Sequence, residues 1–400
     1  MNSNSNSLWT RSFISACIAN FLLFFAFYLL VPIFPLYLIE KYNASKTLIG
    51  VILSSYTVAA LLIRPVAGFV LDMVYRKPVY IAAYFLFVIS FIGYPVAHVI
   101  GLFLFFRVLH GFTFGFVTTA GNSLIVDILP SERRGEGLGY YGVANNLAMA
   151  IGPMTGLLMH DVVSFDIIFY TAIGSGMLGL FFTSFIKAKN MAAGRQQQVI
   201  SFDRFFLLPG LKAGICLLMM GIPYGMVVTY IALYGKEIGI SSGLGLFFTL
   251  MAVGLTFSRL IGGKLVDKGK LIFVISFGTA ICVLAYLTLS SMKFIHNQQI
   301  IITLFYLVSI LLGLGYGSIF PAYNTLFVNL APNNRRATAS STYMTSWDVG
   351  IGLGLVSGGW IADSKNGLQM AYFVGAMAAV LSFVYFVRIA GPHFVKNKLR

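Results

Sequence analysis

Charged residues are scarce in this chain of 400 residues: Asp, Glu, Lys and Arg together make up 10% of it. Hydrophobic residues make up 58%, and the mean hydropathy is +0.87. Because a soluble domain contains about 25% charged residues, this composition excludes an ordinary water-soluble globular protein. The sequence predicts an integral membrane protein.

Cysteine is also rare, and the three cysteines are far apart. Cys17, Cys216 and Cys282 lie in apolar stretches and have no paired spacing. This pattern indicates neither a disulfide framework nor a metal site. The sequence also lacks a Walker-type phosphate loop, closely spaced Cys or His ligands and a nucleophile elbow. We therefore expect neither an enzyme nor an ATP-driven pump, and no cofactor or metal.

Long apolar stretches recur along nearly the whole chain. Each has about 20 residues, enough to cross a hydrocarbon core of about 30 Å as a helix. The predicted spans are residues 12–38, 47–71, 78–97, 100–129, 138–160, 165–187, 207–234, 241–266, 271–291, 299–330, 338–362 and 368–389. The first stretch is too long for the apolar core of a signal peptide, so we interpret it as a retained helix.

Basic residues are distributed unevenly among the segments between these spans. If the N-terminus is cytoplasmic, 19 of the 27 Lys and Arg residues lie in cytoplasmic segments and five in outer loops. The other three, Arg64, Arg107 and Arg259, lie within spans. Cytoplasmic loops of membrane proteins carry such an excess. Membrane topology therefore explains the net charge of +15 without nucleic acid, and both termini are expected to be cytoplasmic.

Two sequence motifs occur twice, at offsets of 195 and 202 residues. RPVAGFVLDMVYRK at residues 64–77 is repeated as SRLIGGKLVDKGK at residues 258–270. GNSLIVDILPSERRGEG at residues 121–137 is repeated as YNTLFVNLAPNNRRATA at residues 323–339. The repeated residues of the first motif are four apart, so they share one face of a helix. The repeats indicate a duplicated sequence.

The chain therefore divides into two six-helix halves, residues 1–187 and 207–400, with a cytoplasmic linker at residues 188–206. Parallel repeats with a substrate site near the bilayer midplane are frequent in transporters. Within the first span, Pro32 and Pro35 are expected to kink or break the helix near its outer end.

Three motifs resemble those of the major facilitator superfamily. The residues that carry the resemblance are Gly68, Asp72, Arg76 and Lys77 in the first motif, Arg107, Gly111 and Gly115 in the second, and Gly142, Gly152, Pro153 and Gly156 in the third. The third motif is similar to the antiporter motif of the drug/proton antiporter branch, which includes multidrug and sugar efflux. The resemblance implies an all-α membrane protein whose twelve transmembrane helices form two pseudo-symmetric six-helix bundles.

The resemblance also implies a cytoplasmic gate. An aspartate at the position of Asp72 caps the N-terminus of helix eleven in the family, and by pseudo-symmetry Asp267 would cap helix five. Such caps would hold the outward-open state. The residues assigned to this gate are Arg64, Gly68, Asp72, Arg76, Lys77, Arg259, Gly263 and Asp267. Alternatively, these residues only follow the positive-inside rule and form tight turns.

The glycines of the helix-five motif predict close helix contacts, since small residues let membrane helices approach each other. Pro153 adds a bend. Packing alone and gating both fit Gly142, Gly152 and Gly156. In neither case do we expect these glycines to contact a ligand.

Asp348 is the most informative ionisable residue, because it lies about 15 Å into the predicted eleventh span. A charge at that depth costs at least about 2.5–3.5 kcal/mol on insertion scales. Burial disfavours the charged carboxylate and a nearby arginine favours it, so the site suits proton coupling. By depth, Arg107 is the candidate counter-ion, and His110 lies on the same helix face. A structural ion pair and a packed histidine are the alternatives.

Polar and aromatic residues at similar depth predict a substrate cavity. Asn146 corresponds to Asp348 at the repeat offset of 202. Aromatic faces with few fixed charges suit an amphipathic or cationic organic molecule. The candidate cavity residues are Asn20, Tyr28, Asn145, Asn146, Tyr224, Tyr230, Tyr316, Tyr323, Asn324, Tyr343 and Trp347. Packing is the alternative role for each of them.

These observations predict a monomeric, multi-pass transporter of the cell membrane that exports a small organic compound in exchange for protons by alternating access. Its expected partners are the lipid bilayer, the substrate and protons, and no nucleic acid. Two alternatives stay open. One is proton-coupled or facilitated uptake of a sugar or small acid, in which Arg107 binds an anionic group. The other is a transporter-like sensor or scaffold.

Overall fold

The computed structural model describes residues 7–130, 133–188, 206–240, 242–332, 336–364 and 367–399. The structure is 88% helical, and no strand occurs in these ranges. This confirms the all-α fold class that the apolar stretches predict.

The helices follow the predicted spans closely. The first half of the chain forms α1 (Arg11–Leu30), α2 (Ile33–Tyr42), α3 (Lys46–Met73), α4 (Arg76–Val96), α5 (Ile100–Ile128), α6 (Arg134–His160) and α7 (Phe165–Ser184). The second half forms α8 (Leu211–Glu237), α9 (Gly245–Asp267), α10 (Leu271–Ser291), α11 (Gln298–Leu330), α12 (Arg336–Ala362), α13 (Gly367–Tyr385) and α14 (Gly391–Asn397). A π-helical segment, Phe386–Ala390, joins α13 to α14.

The first predicted span is interrupted next to its prolines. The helix α1 ends at Leu30, Pro32 lies in the following turn, and α2 begins at Ile33. Proline lacks a backbone N–H, and its ring collides with the preceding helical turn, so α1 cannot continue through Pro32. Pro35 lies in the first turn of α2, where a missing N–H costs little. The predicted break is confirmed.

By length and composition, ten helices in the described ranges could cross a membrane. The two predicted spans that fall short are those of α6 and α12, which have 27 residues each. These helices are long enough, but six glycines in α6 and five in α12, together with polar residues, lower their hydropathy. Gly156 of α6 and Gly354 of α12 lie at helix contacts, where small residues let membrane helices approach closely.

The described residues cluster into two compact units. In the first unit, α1 packs on α6 and α7, and α4 packs on α5 and α7. In the second unit, α8 packs on α12 and α13, and α10 packs on α11 and α13. Corresponding helices of the two sequence repeats therefore make corresponding contacts.

Residues 38–54 cluster with the C-terminal helices and not with their sequence neighbours. The end of α2 and the first turns of α3 thus belong to the second unit, although the sequence places both in the first half. Residues 189–205 of the predicted linker at 188–206 lie outside the described ranges.

Glycines permit close backbone contacts within each unit. A Cβ atom at Gly156 of α6 would overlap the carbonyl oxygen of Leu29 in α1. A Cβ atom at Gly354 of α12 would overlap the carbonyl oxygen of Ile222 in α8 in the same way. Gly142 differs, because no atom lies within 4 Å of the position that its Cβ would take. Gly156 is therefore a packing residue, whereas the space beside Gly142 would accept a methyl group.

Candidate functional site

Arg107 lies on α5 inside the first unit, and only 3% of its surface is exposed. The guanidinium carbon is 4.7 Å from the centroid of the Phe34 ring and 4.5 Å from that of the Tyr56 ring. Cation–π contacts of this kind contribute about 0.5–2 kcal/mol each. The Nε and Nη1 atoms of Arg107 have no hydrogen-bond partner within the described ranges. This unit therefore buries a cation whose donors are only partly used.

His110 lies one turn after Arg107 and is fully buried. Its Nδ1 atom is 2.6 Å from the hydroxyl oxygen of Tyr94 on α4, and Tyr94 also interacts with Arg107. A guanidinium can only donate, so it favours the Tyr94 oxygen as acceptor and leaves the Tyr94 hydrogen for Nδ1. This arrangement favours the tautomer with its proton on Nε2, an atom without a partner in the described structure.

Aromatic rings surround the imidazole of His110. The ring centroids of Phe91, Phe87 and Tyr56 are 4.6, 5.2 and 5.4 Å from it. This is the geometry of a packed, hydrogen-bonded histidine whose Nε2 atom has no hydrogen-bond partner in the described structure. A role of His110 in proton coupling stays a prediction.

Asp348 lies on α12 in the second unit and is half-buried. Tyr343, five residues earlier on the same helix, interacts electrostatically with both Asp348 and Arg259 of α9. Tyr224 of α8 also interacts with Arg259. The second unit thus brings a carboxylate, a guanidinium and two phenols into one region. The sequence predicts a gate role for Arg259, whereas its interactions with Tyr224 and Tyr343 depend on the fold.

An aromatic cluster of the second unit includes Trp347, a predicted cavity residue. The ring centroid of Tyr224 is 4.9 Å from that of Tyr316 and 4.8 Å from that of Trp347, the residue before Asp348. The Tyr316 hydroxyl lies 2.7 Å from the hydroxyl of Tyr286, which fixes its orientation. The structure therefore brings three of the predicted cavity residues together, and Trp347 directly precedes Asp348 in the sequence.

Other candidate cavity residues of the second unit lie apart from this cluster. The Tyr230 hydroxyl donates to the carbonyl oxygen of Leu355 at 2.8 Å. Tyr323 is fully buried, and its ring centroid is 5.7 Å from that of Phe386. Asn324 is exposed on α11. Tyr230 and Tyr323 thus fit the packing alternative.

In the first unit, four polar candidates lie on α1 and α6. The Asn20 side chain is buried and donates from Nδ2 to the carbonyl oxygen of Tyr141 at 3.1 Å, so its amide joins two helices. Tyr28, Asn145 and Asn146 are half-buried. The Oδ1 atom of Asn145 is buried and accepts no hydrogen bond from the described residues. Asn145 therefore has a buried acceptor that a ligand could use.

The predicted gate is described only in part. The side chains of Asp72 and Asp267 lie outside the described structure, so the proposed helix caps stay predictions. Arg76 donates from Nη1 to Oδ1 of Asp127 at 2.6 Å, a partner that the sequence analysis did not select. Lys77 donates to a backbone carbonyl at the end of α7. The gate residues with open space at their Cβ positions are Gly68 and Gly263.

Sequence analysis missed a polar cluster at the opposite end of α3. The carboxylate of Asp363, just after α12, accepts from the backbone N–H groups of Lys46 at 2.9 Å and Thr47 at 2.8 Å. It also accepts from the Thr47 hydroxyl at 2.6 Å. Lys46 forms an ion pair with Glu237, and Lys293 lies 3.2 Å from the same carboxylate. Asp363 thus caps the N-terminus of α3 within the second unit.

The cap changes the acidity of Asp363. Partial burial raises the pKa of this carboxyl, but the hydrogen bonds from Thr47 and Lys46 outweigh burial and bring the pKa below its ordinary value of 3.8. The only sequence signal was an acid directly after a glycine-rich span. It could not be paired with Lys46, because the two residues are 317 positions apart.

Comparison with known proteins decides the family. The sequence profile of the Major Facilitator Superfamily matches residues 16–355 and 300–399. The chain belongs to this superfamily. The match covers almost the whole chain and confirms the resemblance that the three motifs carry.

The relatives of this superfamily transporter include an export protein and a drug-resistance protein. The Staphylopine export protein of Staphylococcus aureus strain Mu50 is 23% identical over 364 residues, which is 88% of this chain and 89% of that protein. The Quinolone resistance protein NorA of the same strain is 28% identical over 158 residues, or 40% of each chain.

Solved structures of other transporters share the fold. A POT family transporter in complex with a thioalcohol-conjugated peptide has a TM-score of 0.80 and 14% identity, covering 96% of each chain. A bacterial homologue of the human lysosomal transporter Spinster has a TM-score of 0.78 and 13% identity, covering 97% of this chain and 98% of that one. At such identities the likeness establishes the twelve-helix fold alone.

Proposed function

We propose that this major facilitator transporter exports a small amphipathic or cationic organic molecule in exchange for protons. The region around Asp348 supports the proposal best. There a half-buried carboxylate lies on a membrane helix next to Trp347, and Tyr343 interacts with both Asp348 and Arg259. A carboxylate inside a span costs about 2.5–3.5 kcal/mol on insertion scales, so a functional role is the simplest reason for its presence.

In the proposed cycle, Asp348 takes up a proton from outside and releases it inward while substrate is captured. Arg259 stabilises the charged carboxylate, and the aromatic cluster of Tyr224, Tyr316 and Trp347 supplies ring faces for an organic cation. A change of charge at Asp348 gives each conformational state a different free energy. This difference is what drives a population shift between the states.

The names of two relatives support export as the direction of transport. One is a staphylopine export protein and the other a quinolone resistance protein. Export also agrees with the resemblance of the helix-five motif to that of drug/proton antiporters. The substrate of this chain is proposed only by its chemical class.

Transport in proteoliposomes tests the proposal. A preset pH gradient is monitored while cationic, neutral and anionic compounds are added to wild type and to Asp348→Asn. The matched control is Asp166→Asn, which changes an exposed acid at the start of α7. We expect some compounds to dissipate the gradient in wild type and in the control but not in Asp348→Asn. Unchanged coupling in Asp348→Asn would refute the proposal and would favour a sensor or scaffold.

Uptake of a sugar or small acid is a second candidate, and Arg107 favours it. Its Nε and Nη1 donors have no partner in the described ranges, and its charge lies between aromatic rings. A substrate carboxylate could accept a charge-assisted hydrogen bond from one of these donors. If anionic compounds accumulate in the vesicle compartment equivalent to the cytoplasm, and Arg107→Gln abolishes this accumulation, uptake replaces export.

We further propose that the transporter works as a monomer in the cell membrane with both termini cytoplasmic. The cytoplasmic gate would be formed by Asp72 and Asp267. Lys46 and Met73 begin and end the 28 residues of α3, which gives this helix a length of about 40 Å. The proposed gate at Asp72 would then act near the end of α3 that is opposite to the cap by Asp363.

A further inference from the structure

The first unit has a groove on its surface. It runs between the first turns of α4 and the last turn of α7 and has a volume of about 670 Å³. Its walls are apolar apart from one end, where Lys77 and Ser184 lie. The wall residues are Pro78, Ile81, Ala82, Phe85, Leu180 and Thr183.

The groove opens to the outside of the unit. Phe85 is 51% exposed, and Phe181, beside the opposite wall, is 59% exposed. On a membrane helix, exposed rings of this kind face hydrocarbon. From Lys77 to Phe85 the groove follows α4 for about 12 Å, which is most of the 15 Å that one leaflet contributes to a hydrocarbon core of about 30 Å. An acyl chain of one leaflet therefore fits its length.

Positive charge is concentrated at the polar end. The Nζ atom of Lys77 donates to the carbonyl oxygen of Ser184 at 3.4 Å, and no acid pairs with it in the described part of the chain. Arg76 forms an ion pair with Asp127, which leaves Lys77 as the available cation. Tyr75, the residue before α4, provides no side-chain cap, so the positive end of the helix dipole is also directed here.

We propose that this groove binds one anionic phospholipid. Its phosphate would lie at Lys77 and the first turn of α4, and one acyl chain would lie against Ile81 and Phe85. Basic residues between membrane helices on the cytoplasmic side bind anionic headgroups, and the distribution of Lys and Arg places this end of α4 on that side. An organic substrate or a peptide is less suitable, because the walls offer it no further polar contact.

Lipid binding to the purified full-length chain tests this inference. Native mass spectrometry measures the affinity for phosphatidylglycerol and for phosphatidylcholine with identical acyl chains. Lys77→Gln removes the charge, and Lys77→Arg keeps it. Lys268→Gln is the matched control, since Lys268 is an exposed lysine after α9. Ala82→Trp fills the groove, and Ala280→Trp adds the same ring at an exposed position of α10.

We expect wild type to prefer phosphatidylglycerol by about fivefold, the contribution of one lysine near a membrane surface. Lys77→Gln should remove this preference, whereas Lys77→Arg and Lys268→Gln should keep it. Ala82→Trp should weaken binding of both lipids, and Ala280→Trp should not. Equal affinities in wild type, an unchanged preference in Lys77→Gln, or displacement of the lipid by glycerol phosphate without acyl chains would each overturn the proposal.

Discussion

The Asp363 cap on α3 allows the loss of stability in a cap variant to be predicted. Asp363→Ala removes the acceptor of two backbone N–H groups and of the Thr47 hydroxyl. Loss of an N-cap side chain costs about 0.5–2 kcal/mol. The cluster is exposed, so solvent screens its charges, and we expect a loss of about 1–2 kcal/mol. Asp363→Asn keeps one carbonyl oxygen and should lose less.

The lowered pKa of Asp363 fixes the pH dependence of this loss. A carboxyl whose folded-state pKa lies below its unfolded value stabilises the fold above the unfolded pKa, near 3.9. The stabilisation disappears as the pH falls through the lower, folded-state value. The difference between wild type and Asp363→Ala should therefore be constant from pH 8 to pH 5 and shrink below about pH 4.

Thermal unfolding in detergent measures the effect. Asp363→Ala should lower the Tm by roughly 1–2.5 °C at pH 7. Asp166→Asn is the control, because it removes an exposed acid from the first turn of α7. An unchanged Tm for Asp363→Ala at pH 7, or a difference that persists in full at pH 3, would contradict the geometry of the cap.

Three further predictions concern the helix contacts and the buried cation. Gly156→Val should lower the Tm strongly, because the valine side chain would collide with a backbone carbonyl. Gly142→Ala should change the Tm little. Equal Tm values for the two variants would refute the packing assignment of Gly156. Tyr94→Phe leaves Nδ1 of His110 buried without its hydroxyl partner, so denaturant unfolding should show a loss of about 1–3 kcal/mol. Arg107→Lys keeps the charge but loses the planar stack on two rings, so the Tm should fall; an unchanged Tm would contradict the cation–π assignment.

Much of the architecture could be predicted from the sequence, because membrane spans are set by local composition. The predicted span 299–330 and the helix α11 (Gln298–Leu330) differ by one residue at one end. The break at Pro32 was also predictable, since proline acts on its own helix. The weaker hydropathy of α6 and α12 has a sequence cause too, in their glycines.

Contacts between distant residues were not predictable. By its depth in the membrane, Arg107 is the candidate counter-ion of Asp348. A single sequence indicates how deep a residue lies along its helix but not how far apart two helices are. In the second unit Tyr343 interacts electrostatically with both Arg259 and Asp348, and the pairing of Arg107 with Asp348 stays a prediction. Asp363 was missed for the same reason. A cap formed by a residue that is remote in sequence leaves no local pattern.

The cap on α3 also sets an order of events during synthesis. Lys46 is made 317 residues before Asp363. At a ribosomal rate of about 5–20 residues per second, the N-terminus of α3 waits roughly 15–60 s for its acceptor. During this interval its first backbone N–H groups must be hydrated or bound by the insertion machinery. A nascent chain that stalls before α12 therefore displays an uncapped helix end, a feature by which quality control could distinguish it from the finished protein.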